Sequence, residues 1–463
     1  MTYRSTRGRA PELAFGDALL AGLASDGGLY VPTQIPELDP SLDAAMPYHE
    51  LATTVMWPFV EGSIERDRFA AMVEDTYTVF SHPDVAPLFE LGADEWLCDL
   101  SYGPTLAFKD FALQLLGRLL DHQLEQLDQR VTVIGATSGD TGSAAIHALA
   151  NRDRIHVVIL HPEGRVSDVQ RRQMTTVDAP NVTNLAVQGT FDDCQDLVKA
   201  AFGDEDLRRR AALAAVNSIN WARVMAQTAY YVSAALRVAP GRRVSFSVPT
   251  GNFGNVLSAW YAKRMGLPIE QLIVASNRND VLTRVMETGS LTAEEVIPSL
   301  SPSMDIQISS NFERLLFEAS GGDAAGVEDL LARFRSTGAA RVDSAWMARI
   351  RSEFEGGRLD DDGTLVEMKR VYHEHGTLID PHTAVGMAVG RELHRAGTPL
   401  IVMGTADPAK FADAVKEATG EVVPLPERAG NVMELPERFD VIPASLDAVR
   451  AYLPLQSDTD DGD

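Results

Sequence analysis

Short apolar runs and helical patterns alternate along the chain from about residue 95. The apolar runs are rich in β-branched residues, end at glycine, proline or serine, and cover 131–135, 156–160, 184–187, 244–248, 272–275 and 400–403. Helical patterns follow two of them, over 143–150 and 192–202. This alternation predicts an α/β chain with mostly parallel sheets. Ligands of such sheets bind beyond the carboxyl ends of the strands, so the residues after each run are the first candidates for a site.

The first ninety or so residues have a different pattern. An apolar-periodic stretch covers 11–23, and a glycine turn with a short extended piece follows it at 27–32. A second amphipathic stretch covers 66–80. This part is therefore predicted to be a mainly helical domain in front of the α/β region.

The composition is that of a globular protein of 463 residues, 45% hydrophobic and 23% charged. The length favours two or three domains, and the apolar content excludes a mostly disordered chain. No apolar run reaches the roughly 18 residues that span a bilayer, and no secretory signal is visible at the N-terminus. The two cysteines, Cys98 and Cys194, exclude a disulfide scaffold and favour a reducing cytoplasm.

Acidic residues outnumber basic ones by 66 to 41, which gives a formal net charge of −25. Such a surface repels phosphate backbones and anionic lipids, so neither nucleic acid nor a membrane is an expected partner. Residues 457–463 are polar and acidic and are predicted to form a solvated tail. No metal site is expected, because the pair His373 and His375 and the acidic run 360–363 lack the ligand spacing of zinc and calcium sites.

Two loops at predicted strand ends have the composition of anion cradles. One covers 137–142 after the run at 131–135, and the other covers 251–255 after the run at 244–248. Each contains two glycines and opens a helix, whose free amide N–H groups bind anions well. A well-capped turn without a ligand is the alternative for each loop. Neither loop matches a P-loop or a dinucleotide fingerprint.

Lys109 has apolar residues on both sides, among them Phe108 and Phe111. A lysine in such a setting loses hydration, which lowers its pKa and makes the neutral amine a nucleophile. A surface lysine whose stem lies along apolar side chains is the alternative. A phosphorylated aldehyde cofactor needs both an anion cradle and such a lysine, and pyridoxal phosphate meets both requirements.

Several separate segments together resemble the threonine synthase family. In chain order they cover 15–30, 103–110, 136–142, 217–223, 249–255 and 404–411. The resemblance runs over nearly the whole chain and implies the tryptophan-synthase-β-like fold, called fold type II among pyridoxal-phosphate enzymes. The N-terminal extension and the sequence of the loop at 251–255 resemble the longer bacterial and fungal branch.

The resemblance implies roles for individual residues. Lys109 is the lysine that forms a Schiff base with the cofactor, and Thr405 offers its hydroxyl to the pyridine nitrogen. The cofactor phosphate is assigned to Gly251, Asn252, Phe253, Gly254 and Asn255. The substrate carboxylate is assigned to Thr137, Ser138, Gly139, Asp140 and Thr141. For Asp140, a role as a helix N-cap alone is the alternative.

The leaving phosphate is assigned to Arg223 with Ser218 and Asn220, since arginine forks onto phosphate. A structural arginine at a helix start is the alternative. A further family-like stretch carries polar residues without an assigned role, namely Ser303, Asp305, Asn311 and Arg314.

The implied reaction converts O-phospho-L-homoserine and water to L-threonine and phosphate, by γ-elimination and addition of water at Cβ. Lys109 then serves as the base that moves the protons, in a site that excludes water. Two alternatives stay open: a same-fold phospho-lyase that releases a 2-oxo acid, and a non-catalytic α/β binding protein. The small-molecule substrate is the expected partner, and the chain is expected to be a monomer or a homodimer.

The predicted division of the chain has three parts. Residues 1–96 form the mainly helical N-terminal domain, and residues 113–224 form a small α/β domain. Residues 97–112 and 225–463 form the large α/β cofactor domain with the acidic tail. The two α/β domains are expected to be doubly wound and interwoven, as the resemblance implies.

Overall fold

The computed structural model describes residues 1–214 and 218–455. The predicted acidic tail at 457–463 lies outside the described residues, as does Asn217, the first residue of one family-like segment.

The described strands, in chain order, are β1 (Thr2–Ser5), β2 (Leu13–Ala14), β3 (Tyr30–Pro32), β4 (Leu88–Gly92), β5 (Glu95–Asp99), β6 (Val131–Ala136), β7 (Ile155–Pro162), β8 (Val182–Gln188), β9 (Leu213–Ala214), β10 (Val244–Pro249), β11 (Ile269–Ser276), β12 (Ser290–Thr292), β13 (Ala339–Arg341), β14 (Phe354–Arg358), β15 (Leu400–Gly404) and β16 (Asp440–Pro443).

The described α-helices are α1 (Phe15–Ala21), α2 (Tyr48–Val60), α3 (Arg66–Tyr77), α4 (Lys109–Leu127), α5 (Asp140–Leu149), α6 (Asp168–Thr175), α7 (Phe191–Gly203), α8 (Glu205–Arg210), α9 (Trp221–Val238), α10 (Gly254–Arg264), α11 (Val281–Thr288), α12 (Phe312–Ser320), α13 (Ala324–Thr337), α14 (Ser344–Glu353), α15 (Asp361–His375), α16 (Pro381–Leu393), α17 (Ala412–Thr419) and α18 (Leu446–Arg450). Among the described residues, none of the helices is both long enough and apolar enough to cross a bilayer.

The predicted alternation of strands and helices is confirmed. The six apolar runs lie in β6, β7, β8, β10, β11 and β15, and the two helical patterns lie in α5 and α7. The chain forms two compact units and passes between them more than once. Unit 1 contains 1–19, 23–112 and 218–426, whereas unit 2 contains 20–22, 113–214 and 427–455.

Unit 1 is built on a six-stranded sheet in the order β14-β11-β10-β15-β5-β4. Its neighbouring strands are parallel except for β4 and β5, which pair antiparallel at one edge. Every residue of β10 and β15 is buried, as expected for a parallel sheet with both faces covered. The core between this sheet and α16 includes Ile273 of β11, Val402 of β15 and Val385 of the helix itself.

Unit 2 contains a five-stranded, all-parallel sheet in the order β16-β8-β7-β6-β9. Strand β16 comes from the segment 427–455, which the sequence analysis assigned to the cofactor domain. The segment belongs instead to unit 2, because β16 extends that sheet by pairing with β8. The other predicted domain boundaries stay a prediction.

The N-terminal region is less helical than its apolar pattern indicates. Strands β1, β2 and β3 form a small antiparallel sheet, and the predicted helix over 11–23 is confined to Phe15–Ala21. The short extended piece at 27–32 is confirmed as β3, and the stretch at 66–80 is confirmed as α3. Helix α2 was missed, because its Thr and Val residues and Pro58 are poor helix formers.

Candidate active site

Lys109 is the first residue of α4 and its side chain is buried, with 8% of the residue exposed. Its Nζ donates a hydrogen bond of 3.2 Å to Oγ of Ser303 and lies 5.4 Å from the centroid of the Phe108 ring. The alternative of a surface lysine is therefore wrong. Leu106, three residues earlier, has a φ of 61°, so the chain turns sharply just before the lysine.

Asp110 stabilises this turn through hydrogen bonds to Thr105. Its buried carboxylate accepts hydrogen bonds from N of Thr105 at 2.8 Å and from Oγ1 of Thr105 at 2.7 Å. Lys410 Nζ donates to the carbonyl oxygen of Thr105 at 2.6 Å. Burial raises the pKa of Asp110 to about 6, although these hydrogen bonds and Lys410 act in the opposite direction. These contacts stabilise the backbone turn that precedes Lys109.

Thr405 lies beside that loop. The Phe108 N–H donates to the Thr405 carbonyl at 2.9 Å, and the Asp407 N–H donates to the Leu106 carbonyl at 3.0 Å. Thr405 is buried and directly follows β15, a neighbour of β5 in the sheet of unit 1. The predicted Schiff-base lysine and the predicted pyridine partner are therefore brought together at one end of this sheet.

The loop 251–255 follows β10, the other neighbour of β15, and lies at the same carboxyl end of the parallel strands. Phe253 has a φ of 63°, and α10 begins at Gly254, so the first amides of this helix have no intrahelical acceptor. A Cβ on Gly251 would lie 2.6 Å from the carbonyl oxygen of Ser303, so only glycine fits there. The segments that follow three neighbouring parallel strands, β5, β15 and β10, thus carry Lys109, Thr405 and an amide-rich loop at one end of the sheet.

Asn255 carries a buried amide that is only half satisfied. Its Oδ1 accepts hydrogen bonds from the hydroxyls of Tyr230 at 2.5 Å and Tyr231 at 2.6 Å. Its Nδ2 has no partner among the described residues. A buried donor without an acceptor costs free energy, so this amide would be stabilised by an oxygen acceptor.

The segment 309–311 holds the loop in place. The Ser309 hydroxyl donates to the Gly251 carbonyl at 2.8 Å, and the Ser310 hydroxyl donates to Oδ1 of Asn252 at 3.1 Å. The Asn311 side chain donates to the Asn252 carbonyl at 3.0 Å. Asn311, left without a role by the sequence analysis, is thus a support of the loop.

Ser218, Asn220 and Arg223 lie at the start of α9, and the structure gives them different surroundings. Asn220 is the N-cap of α9, since its Oδ1 accepts from the Ala222 N–H at 3.1 Å. The Ser218 hydroxyl lies 3.2 Å from the Ser310 hydroxyl, next to the loop at 251–255.

Arg223 is buried, and its Nε and Nη1 have no partner among the described residues. Burial lowers the pKa of its guanidinium to about 10. A buried cation without an anion is unfavourable, so an anionic ligand would relieve it.

The loop 137–142 belongs to unit 2. Helix α5 begins at Asp140, and Gly139 is its N-cap, so the alternative that Asp140 caps this helix is wrong. The Thr137 hydroxyl instead accepts from the N–H groups of Gly139 and Gly142, at 3.0 and 2.9 Å. Asp140 accepts a hydrogen bond of 2.8 Å from Nε2 of Gln170, while Ser138 is exposed.

Sequence reasoning missed the residues of other segments that hydrogen-bond to Lys109, or to Ser303 and Thr405 next to it. Ser303 was noted without a role, and Asp380, His382 and Thr383 were not noted at all. Asp380 precedes Pro381, which is the pattern of an ordinary helix start, so the sequence carried no signal that these side chains are linked to Ser303 and Thr405.

Family models match most of the chain. "Threonine synthase N terminus" covers residues 2–77, "Pyridoxal-phosphate dependent enzyme" covers 84–333, and "Threonine synthase, C-terminal" covers 383–453. The chain is 50% identical to a threonine synthase of Pseudomonas aeruginosa, over 98% of both proteins. It is 42% identical to one of Corynebacterium glutamicum, over 98% of both.

Solved structures give the same result. The fold is similar to that of the pyridoxal-phosphate-bound threonine synthase of Brucella melitensis, with a TM-score of 0.96, 49% identity and coverage of 98% of this chain and 99% of that one. A yeast threonine synthase has a TM-score of 0.92 at 37% identity, over 97% of both chains. The predicted fold type II architecture is confirmed, and the chain belongs to the threonine synthase family of pyridoxal-phosphate-dependent enzymes.

Proposed function

We propose that the chain converts O-phospho-L-homoserine and water to L-threonine and phosphate, with Lys109 as the catalytic amine. The observation that carries this proposal is the buried Lys109 Nζ, which donates to the Ser303 hydroxyl. Lys109 lies at the same end of the sheet as the loop 251–255 and Thr405. Membership of the family supports the reaction, and the position of Lys109 supports its role as the amine.

The residues present fit pyridoxal phosphate. Lys109 offers a buried primary amine for its aldehyde, and Thr405 offers a hydroxyl for its pyridine nitrogen. Gly251 to Asn255 offer helix-start amides and the unpartnered Nδ2 of Asn255 for its phosphate. When bound, the cofactor supplies an electron sink for the substrate Cα carbanion.

The chain's own residues then perform the proton transfers and bind the substrate. The Lys109 amine takes the Cα proton and passes protons among the carbon atoms of the substrate, and its burial keeps bulk water away. We assign the substrate carboxylate to Thr137, Ser138, Gly139, Asp140 and Thr141, supported by the helix start at Asp140.

We assign the substrate phosphate to Arg223 and Ser218. The support is the uncompensated buried charge of Arg223, which a phosphate would pair through two parallel hydrogen bonds. Asn220 serves this pair indirectly, because its cap fixes the first turn of the helix that carries Arg223.

The proposal is tested by incubating the cofactor-loaded protein with O-phospho-L-homoserine and following threonine and phosphate together. Equal amounts of the two products are expected. Release of 2-oxobutyrate and ammonia with the phosphate would identify a phospho-lyase instead, and no release of phosphate would contradict both.

We also propose a monomer or a homodimer that works in the cytoplasm. The support for a reducing compartment is that Cys98 and Cys194 are both buried free thiols. Light scattering on the purified protein measures the oligomeric state, and a mass above that of two chains would contradict it.

A further inference from the structure

We propose that Asp380 and His382 form a positioning pair that sets the direction of both the Lys109 amine and the Thr405 backbone. The inference rests on the proposed function of Lys109 and Thr405. It assigns the pair no contact with substrate: both residues act through Ser303 and Thr383, which lie between them and the site.

The first branch runs to the lysine. Nε2 of His382 accepts a hydrogen bond of 3.2 Å from the backbone N–H of Ser303, whose hydroxyl accepts from Lys109 Nζ. The Ser303 carbonyl lies against Gly251, so closely that a Cβ at this glycine would be 2.6 Å from the carbonyl oxygen. The N–H of Ser303 is therefore bound by His382, while the rest of Ser303 contacts both Lys109 and the loop 251–255.

The same contacts define the state of the imidazole. A backbone N–H can only donate, so Nε2 of His382 must be the acceptor, and the ring proton is on Nδ1. Nδ1 lies 2.7 Å from Oδ1 of Asp380 and donates to it. The edge of the ring also packs against Phe411, with centroids 4.9 Å apart. The ring is thus fixed in one tautomer and one orientation, as histidines held by a carboxylate commonly are.

The second branch runs to Thr405. The other carboxylate oxygen of Asp380 accepts a short hydrogen bond from the Thr383 hydroxyl. That hydroxyl in turn accepts from the backbone N–H of Thr405 at 3.2 Å. Because Thr405 also accepts from the Phe108 N–H, the two branches close around Lys109. One carboxylate therefore holds the supports of two site residues in a fixed relation.

A role as an ordinary helix cap does not explain these contacts. Asp380 does cap α16, but Asp343 caps α14 equally well while exposed, and no side chain of the described residues donates to it. Asp380 is completely buried and accepts from two side chains, and His382 is 3% exposed. Burying a charge and an imidazole for a cap alone is unfavourable, whereas a fully satisfied network rigidifies what it touches.

The test uses the full chain, first stripped of cofactor and then mixed with pyridoxal phosphate, and measures the rate of covalent attachment to Lys109. His382→Phe removes the acceptor for Ser303, Asp380→Asn removes the charge, and His382→Gln restores an acceptor at the position of Nε2. Asp343→Asn is the matched control for a helix cap. Melting temperature and cofactor affinity are measured for each variant, together with kcat and KM.

We expect His382→Phe and Asp380→Asn to slow attachment and lower kcat by about tenfold or more, as loss of a supporting partner does elsewhere, with KM little changed. His382→Gln should recover most of the rate, and Asp343→Asn should leave it unchanged. A wild-type attachment rate in both His382→Phe and Asp380→Asn would overturn the inference. If one of these variants fails to fold, the other decides together with His382→Gln, whose rate must lie nearer to the wild type.

Failure of the proposed function would be recognised separately. Borohydride reduction of the wild type fixes the cofactor to its lysine, and a peptide other than that of Lys109 would refute the role of Lys109 itself. A wild type labelled at Lys109, with variants that attach at the same rate, would refute the positioning pair alone.

Discussion

Arg223 and Arg314 are both buried in unit 1, but their guanidinium groups differ in what they bind. Arg314 donates to the Tyr30 carbonyl at 3.0 Å, to the Ile219 carbonyl at 2.6 Å and to Oδ1 of Asn311. Nε and Nη1 of Arg223 have no partner among the described residues. Arg314 is therefore part of the framework, whereas Arg223 leaves two donor atoms without a partner among the described residues.

This difference predicts opposite effects for one substitution. Arg314→Met should lower the free energy of unfolding by about 3–5 kcal/mol, because it breaks a buried hydrogen-bonded network. Arg223→Met should leave that free energy unchanged or raise it, since it removes an unpaired buried charge. Chemical denaturation of the two variants beside the wild type measures both effects. A large loss of stability in Arg223→Met would make Arg223 structural.

Phosphate provides an independent test of Arg223. With the cofactor bound, so that the loop 251–255 is occupied, inorganic phosphate should raise the melting temperature of the wild type, and this rise should vanish in Arg223→Met. The variant should lose at least about thirtyfold in kcat/KM for O-phospho-L-homoserine, the effect of leaving a buried charge without its partner. An unchanged kcat/KM would show that the substrate phosphate binds elsewhere.

Lys109→Ala should abolish turnover, because it removes the amine that we assign to the cofactor and to the proton transfers. We expect a loss of at least about a thousandfold in kcat, with a folded protein by circular dichroism. Lys109→Arg is the matched variant, since it keeps the positive charge but is not a nucleophile. Activity in either variant near that of the wild type would contradict the assigned role.

Gly251→Ala should weaken binding of pyridoxal phosphate by tenfold or more. The new Cβ would lie 2.6 Å from the Ser303 carbonyl oxygen, which is too close, so the loop 251–255 must shift. Gly92→Ala is the control, because nothing lies within 4 Å of a Cβ at that position. Equilibrium titration of both cofactor-free variants measures the affinities, and equal affinities would show that the loop does not hold the phosphate.

Asp110 should make stability depend on pH. Its pKa rises from 3.8 to about 6 in the folded chain, so the folded state favours the protonated carboxyl. The contribution of this group is complete below about pH 4 and is lost as the pH rises through 6. Relative to Asp110→Asn, the wild type should lose up to about 3 kcal/mol of unfolding free energy across this window. Parallel pH profiles for the two proteins would contradict the shift.

Much of the fold follows from local pattern. The strands β6, β7, β8, β10, β11 and β15 were predicted because continuous apolar runs mark buried parallel strands. Strand β14 was missed, since Gly356 and Gly357 interrupt its apolar pattern. Those glycines are explained by tertiary packing, because a Cβ on Gly357 would lie 2.6 Å from Val389 of α16.

The site divides in the same way. Lys109 and the loop 251–255 could be identified from the residues around them, and Thr405 from the family resemblance of the segment 404–411. Ser303, Asp380 and His382 could not, because their role exists only when distant segments meet around the lysine. The state of Arg223 was equally invisible, since a sequence does not show which buried groups lack a partner.

The most direct test of the account is borohydride reduction of the cofactor-loaded protein, followed by peptide mapping by mass spectrometry. We predict a single modified peptide, carrying the reduced pyridoxal phosphate on Lys109. A label on another lysine, or no label at all, would contradict the central claim that Lys109 bears the cofactor.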